Sequence, residues 1–273
     1  MRALLTLPLL LAAQSATAHD FQSFASDGCN IAYTDYGTGD PVIFLHGFSA
    51  DFDRNFTRNA DALSKEFRII GIDERGHGRS DKPHDVEAYG KHFATDVVNL
   101  MDRLHIERAQ VVGHSMGGVV SMYLAANDPG RFQSAVTIGN GLFHHSELSL
   151  ISWLMRGLFT WNHVKDWFGA DAGNHIPNDE AALVAAVRSL SELTVSEEQA
   201  AALKVPVLAM RGGPQDDPHD TVERLVAVNP SVEMIRIEPE DHFSILANEK
   251  FQQELRAFLS RPTNRPRASS AYR

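Results

Sequence analysis

The chain has 273 residues, 43% of them hydrophobic and 22% charged, with a formal net charge of −10. This is the composition of an ordinary globular protein, large enough to bury a core without disulfides or metals. The acidic balance argues against nucleic acid as a partner and gives no attraction to anionic membranes, and the single cysteine, Cys29, excludes an intramolecular disulfide.

In chain order, the first segment is expected to lie outside the fold. Arg2 is followed by an apolar run from Ala3 to Ala13, and Ala16-Thr17-Ala18 precedes His19. A positive start, a short apolar stretch and a small-residue A-x-A exit read as a secretory signal peptide over residues 1–18, cleaved after Ala18, for a secreted or periplasmic protein. The run is too short to span a bilayer as a helix. Asn30 to Tyr36 then alternates as a strand and ends at the turn cluster Gly37-Thr38-Gly39-Asp40. Pro41–Leu45, Phe67–Ile72 and Ala109–Val112 are continuous apolar runs, as in strands buried on both faces. Ala135–Ile138, Val205–Met210 and Val232–Ile237 complete the set. Phe93, Val97, Leu100, Met101 and Leu104 recur at helical spacing, as do Phe251, Leu255, Phe258 and Leu259. This alternation predicts an α/β fold with a mostly parallel sheet flanked by helices. From Gly141 to Lys204 the sequence is helix-like only and holds all three tryptophans, Trp153, Trp161 and Trp167. It reads as a helical cap (141–204) inserted into a core formed by residues 19–140 and 205–260. Residues 261–273, with two prolines and four arginines, are expected to form a disordered tail.

The strongest motif is Gly113-His114-Ser115-Met116-Gly117, a G-x-S-x-G that follows an apolar strand and opens into the helical run Gly118–Ala126. Such a strand-to-helix turn strains the central residue and demands small neighbours two positions away. It lifts the Ser115 hydroxyl above the sheet edge, beside the N-terminus of a helix that favours developing negative charge. A serine hydroxyl needs a base. His242, after the last strand in Glu240-Asp241-His242-Phe243, is the candidate, because loops after strand C-termini gather at one sheet edge. The orienting carboxylate should follow the strand Val205–Met210. There Gly213-Pro214-Gln215-Asp216 favours Asp216, with the adjacent Asp217 as the alternative acid. Oxyanion donors are expected from the backbone N–H of Met116 and of Phe48, in His46-Gly47-Phe48, with His46 in a structural role. His144-His145 are positioned to line a pocket, no metal-ligand spacing is present, and Asn55-Phe56-Thr57 matches a glycosylation sequon.

Together with Asp35-Tyr36-Gly37-Thr38-Gly39, Asp73-Glu74-Arg75-Gly76-His77-Gly78-Arg79-Ser80 and His242-Phe243, these stretches make the chain resemble the α/β-hydrolase superfamily. The likeness is to serine hydrolases with a helical cap, in the esterase, C–C hydrolase and haloperoxidase-like branch, and spans roughly residues 27–260. It implies an eight-stranded, mostly parallel sheet and a cofactor-free Ser-His-Asp triad, with the Asp73–Ser80 segment as a structural turn. The spacing of the acid loop departs from the family by an apparent extra residue. Ser115 stands where dehalogenases and epoxide hydrolases of this fold carry aspartate. The resulting expectation is an enzyme cleaving carboxylic esters or lactones of small to medium hydrophobic, small-molecule substrates through an acyl-enzyme on Ser115. The same triad also suits C–C, amide or thioester hydrolysis or cofactor-free perhydrolysis. A non-catalytic ligand-binding or sensing protein of the same fold would be marked by an incomplete triad.

Overall fold

The computed structural model describes residues 19–149, 176–214, 216, 217 and 219–262. The expected leader peptide, the three tryptophans and residues 263–273 lie outside the described residues. The sheet strands are β1 (Gln22–Ser26), β2 (Cys29–Gly37), β3 (Asp40–Leu45), β4 (Phe67–Asp73), β5 (Ala109–His114), β6 (Phe132–Ile138), β7 (Val207–Arg211) and β8 (Glu233–Arg236). They form one eight-stranded sheet in the order β1-β2-β4-β3-β5-β6-β7-β8. β1 pairs with β2, and β2 with β4, in antiparallel fashion; all remaining pairs are parallel. β1 escaped the sequence reading because it is an edge strand, exposed on one face, whose run Gln22-Ser23-Phe24-Ala25-Ser26 is short and largely polar.

Among the described residues the α-helices are α1 (Phe52–Leu63), α2 (His92–Arg103), α3 (Met116–Asn127), α4 (Glu180–Ser189), α5 (Glu197–Ala201), α6 (Thr221–Val228) and α7 (Glu249–Leu259). Strand periodicity sorts the core into two layers. Ile43, Leu45, Ile70, Ile72, Val111, Ala135, Val207 and Ala209 point to one face. There they meet Phe93, Val97, Leu100 and Met101 of α2, Val120 and Leu124 of α3, and Val222 and Leu225 of α6. Their alternates, Val42, Phe44, Ile69, Val112, Val136, Ile138, Leu208 and Met210, point to the other face. That layer is closed by Phe52, Phe56, Ala60 and Leu63 of α1 and by Phe251, Leu255, Phe258 and Leu259 of α7. The central strands therefore read as unbroken apolar runs because both of their faces are covered.

α3 lies behind the elbow and buries residues all round its axis, so it shows little amphipathic periodicity. α1 begins where Asp51 accepts a hydrogen bond from Arg54 N, and α7 where Asn248 accepts from Lys250 N. Between β6 and β7, the described residues 141–149 and 176–204 contain helices and no strand. Asp179 caps α4, and a reciprocal Ser196–Gln199 capping box opens α5. This segment is tied to the core by Asn178, which donates to Ser49 O, by Ser189, which accepts from Gly90 N, and by the Arg224–Glu147 ion pair.

Candidate active site

The loops after β3, β5, β6, β7 and β8 converge at the C-terminal edge of the sheet, where ligands bind in open α/β folds. Ser115 sits between β5 and α3 with φ 53° and ψ −114°, a conformation that costs a non-glycine residue on the order of 1–3 kcal/mol. Small residues are mandatory around it: a Cβ on Gly113 would lie 2.0 Å from Gly117 O, and one on Gly117 would lie 2.1 Å from Leu45 O. The strained turn is held from both sides. Ser115 N donates to Ile138 O at 2.8 Å, and Ser115 O accepts from Asn140 Nδ2 and from Val119 N. Ser115 makes no side-chain capping bond to α3, so its hydroxyl is not spent on the helix. Met116 N is the first N–H of that helix and has no acceptor within it.

His242 is carried by a tight turn after β8. Asp241 Oδ1 accepts from Phe243 N and Ser244 N at 2.9 and 2.8 Å, which fixes the backbone on the far side of the imidazole. His242 Nδ1 lies 2.6 Å from Asp216 Oδ1. A carboxylate can only accept, so Nδ1 carries the proton and Nε2 is left as the unprotonated nitrogen of the ring. Asp216 is buried, and its second oxygen accepts from Gly212 N. Asp217 turns the other way: its oxygens accept from Thr221 Oγ1 at 2.9 Å and from Val222 N at 2.7 Å, at the start of α6. The structure thus brings Asp216, and not Asp217, to His242. The imidazole lies against the Gly139 backbone, where an added Cβ would stand 2.6 Å from His242 Cε1. Gly139 follows Ile138, the acceptor of Ser115 N, so the loop beyond β8 brings the imidazole back to the end of β6, the strand next to the one that carries the serine. Among the described residues no hydrogen bond joins the Ser115 hydroxyl to the His242 ring.

The loop after β3 completes the rim. His46 is fully buried; its Nε2 accepts from Glu74 N at 2.9 Å and its Nδ1 donates to Gly47 O at 2.8 Å. Burial lowers its pKa below the ordinary 6.5, so it serves as a neutral strut. His46 O in turn accepts from Gly117 N at 3.1 Å, which ties this loop to the elbow. Phe48 is half-buried, with its ring edge on His77 at 5.6 Å. His145 Nδ1 meets Ser191 O at 3.1 Å, and His144 is half-exposed near Glu197. Among the described residues no group of three or more His, Cys, Asp or Glu side chains is arranged to hold a metal, and no helix is long and apolar enough to cross a membrane.

Three residues that touch this site were not singled out for it in the sequence: Asn140, which grips the elbow, Asn55, legible only as a sequon, and His114, a variable position of the motif. Asn140 alone left a signal, since it stands between two glycines right after an apolar strand.

Residues 40–205 match the family model described as "alpha/beta hydrolase fold". The chain is 42% identical over 119 residues to a non-heme chloroperoxidase of Streptomyces lividans, a match covering 41% of this chain and 42% of that protein. It therefore spans about two-fifths of the length of that relative. A carboxylesterase structure from Nitrososphaera gargenis superposes with a TM-score of 0.73 at 20% identity, covering 88% of this chain and 97% of the other. The enol-lactonase of Burkholderia xenovorans LB400 superposes with a TM-score of 0.70 at 19% identity, covering 88% and 100%. These two likenesses speak to the fold. With the family model matching more than half of its length, the chain belongs to the α/β-hydrolase fold family.

Proposed function

We propose that this protein is a serine hydrolase that cleaves carboxylic esters or lactones of small to medium hydrophobic compounds through an acyl-enzyme on Ser115. The observation that carries the reading is the hydrogen bond from His242 to the buried Asp216, beside a strained serine whose hydroxyl is not spent on its helix. In this scheme substrate binding closes the gap between Ser115 Oγ and His242 Nε2, a contact often loose in free enzymes. Nε2 takes the hydroxyl proton as Oγ adds to the acyl carbon, and Asp216 stabilises the imidazolium. The N–H groups of Met116 and Phe48 receive the oxyanion. His242 then returns the proton to the departing alkoxide, and water repeats the sequence to release the acid. A carboxylesterase and an enol-lactonase share this fold, so the fold is compatible with ester and lactone chemistry.

The test is labelling with a fluorophosphonate, read by peptide mass spectrometry, together with turnover of p-nitrophenyl acetate, p-nitrophenyl butyrate and a lactone panel. Modification at Ser115 that disappears in His242→Ala is expected. A folded protein that resists the probe would overturn the reading and favour a ligand-binding role. The chloroperoxidase relative favours one second reading, perhydrolysis on the same residues. Formation of peracetic acid from acetate and hydrogen peroxide at a rate exceeding ester hydrolysis would establish it. The N-terminal segment supports export: N-terminal sequencing of the mature protein should begin at His19, and a start at Met1 would overturn that proposal.

A further inference from the structure

The hydrolytic scheme uses neither the histidine inside the elbow nor the asparagine of the sequon, yet both stand at its centre. His114 is buried, with its ring centroid 4.8 Å from that of His242. Its Nε2 lies 2.8 Å from the His242 main-chain carbonyl. A carbonyl only accepts, so His114 Nε2 carries a proton. Burial first, and then the proximity of the His242 imidazole, hold the His114 pKa down at about 3, so the ring is neutral and Nδ1 is a bare acceptor. Asn55 Nδ2, 3.2 Å away, is the donor that fits it. With the amide oriented in this way, Asn55 Oδ1 accepts from Gly47 N. Gly47 has to be glycine, because a Cβ there would stand 2.9 Å from His114 Nδ1.

The chemistry of each atom therefore fixes one direction for the whole chain. Gly47 N–H donates to Asn55 Oδ1, Asn55 Nδ2 to His114 Nδ1, and His114 Nε2–H to His242 O. It runs from the residue preceding the expected oxyanion donor to the residue expected to be the base. We propose that Asn55 and His114 are positioning residues, which hold the oxyanion loop and the base loop in a fixed register on either side of Ser115. This rests on the hydrolase reading above. It also assigns the sequon asparagine an internal structural bond, which competes with carrying a glycan.

The experiment has two arms. In the first, 15N-labelled histidine in the wild-type protein at pH 7 is read by NMR. His114 is expected as the Nε2–H tautomer with unprotonated Nδ1, and an Nδ1–H tautomer or an imidazolium would overturn the proposal. This arm does not depend on turnover, so it decides the network even if the wild type is inert to fluorophosphonate and the hydrolase reading fails. The second arm compares Asn55→Ala, His114→Ala and His114→Gln with wild type, using p-nitrophenyl acetate and circular dichroism. Misplacing the base relative to the oxyanion donors should lower kcat on the order of 10- to 100-fold with KM little changed. Glutamine keeps an N–H donor and a carbonyl acceptor, so His114→Gln should retain more kcat than His114→Ala. Folded Asn55→Ala with wild-type kcat, in a protein whose Ser115 labels normally, would overturn the proposal. If Asn55→Ala does not fold, the ranking of the two His114 variants decides.

Discussion

Two buried polar clusters flank the same loop after β3, and they are built differently. Around the elbow, both ring nitrogens of His114 and both amide atoms of Asn55 have partners. Behind the loop, in the Asp73–Ser80 turn, Glu74 Oε1 and Oε2 and His77 Nε2 have no hydrogen-bond partner among the described residues. The turn does contain a closed element: Arg75 is fully buried, forks onto both oxygens of Asp96 and donates to Ala88 O. Glu74, however, is buried with a neighbouring carboxylate, and both effects push its pKa well above the usual carboxylate range. A satisfied network rigidifies the groups it joins, whereas an unsatisfied one charges its cost to the fold. The elbow side should therefore govern rate, and the turn side stability.

The largest test of that division is Asp216→Asn. Losing the carboxylate that orients His242 should cut kcat about 10⁴-fold while the melting temperature barely moves. A similar loss from Asp217→Ala instead would reverse the roles of the two aspartates. Next comes Asp96→Ala, which strands the Arg75 guanidinium in the core. It should cost about 3–5 kcal/mol in urea denaturation, with kcat per folded molecule preserved.

The comparison is sharpened by Glu74→Met, which removes the carboxyl that lacks a hydrogen-bond partner, at similar length. A glutamate whose folded pKa is raised contributes stability fully present below its ordinary 4.5 and lost as pH rises toward the folded value. Relative to wild type the variant should therefore gain about 1.4 kcal/mol for each pH unit between 4.5 and that value, with no pH-dependent change below 4.5. Buried His77 and His114, each held near pKa 3, act in the opposite sense. Their contribution is present above 6.5 and lost as pH falls, so both proteins should weaken together in acid. Taking the difference between variant and wild type at each pH isolates Glu74, and a flat difference would refute this account. The smallest effect is that of Asp217→Ala, which removes a cap-like acceptor from the start of α6. It should cost about 1 kcal/mol in thermal or urea unfolding and leave the rate alone.

Much of this architecture is legible in the sequence. The runs at β3, β4, β5 and β6 and the helical spacings of α2 and α7 marked their elements, because burial on two faces or on one stripe leaves a local pattern. α1 and α6 went unread, although α1 is strongly amphipathic in the fold: Phe52, Phe56, Ala60 and Leu63 are separated by Arg, Asn, Thr and Asp, and the pattern competes with a turn-like context. Strand limits also shifted. Val205 and Pro206 precede β7, whose pairing begins at Val207, and β8 is confined to Glu233–Arg236.

The sequence by itself determined the layer order, the strand-to-helix elbow at Ser115 and the position of His242 after a terminal strand. Each of these follows from short-range rules: period-two burial, the small residues a tight turn requires, and chain order. Only the tertiary structure decided between Asp216 and Asp217, because adjacent residues in a turn project to opposite sides and spacing does not say which side holds the imidazole. Only it joined Asn55 to His114, 59 positions away, and His114 to His242, 128 positions away. Hydrogen bonds between loops from different strand ends leave no periodic trace in a sequence. They are set by where the sheet delivers each loop and by which atoms, once buried, must find a partner.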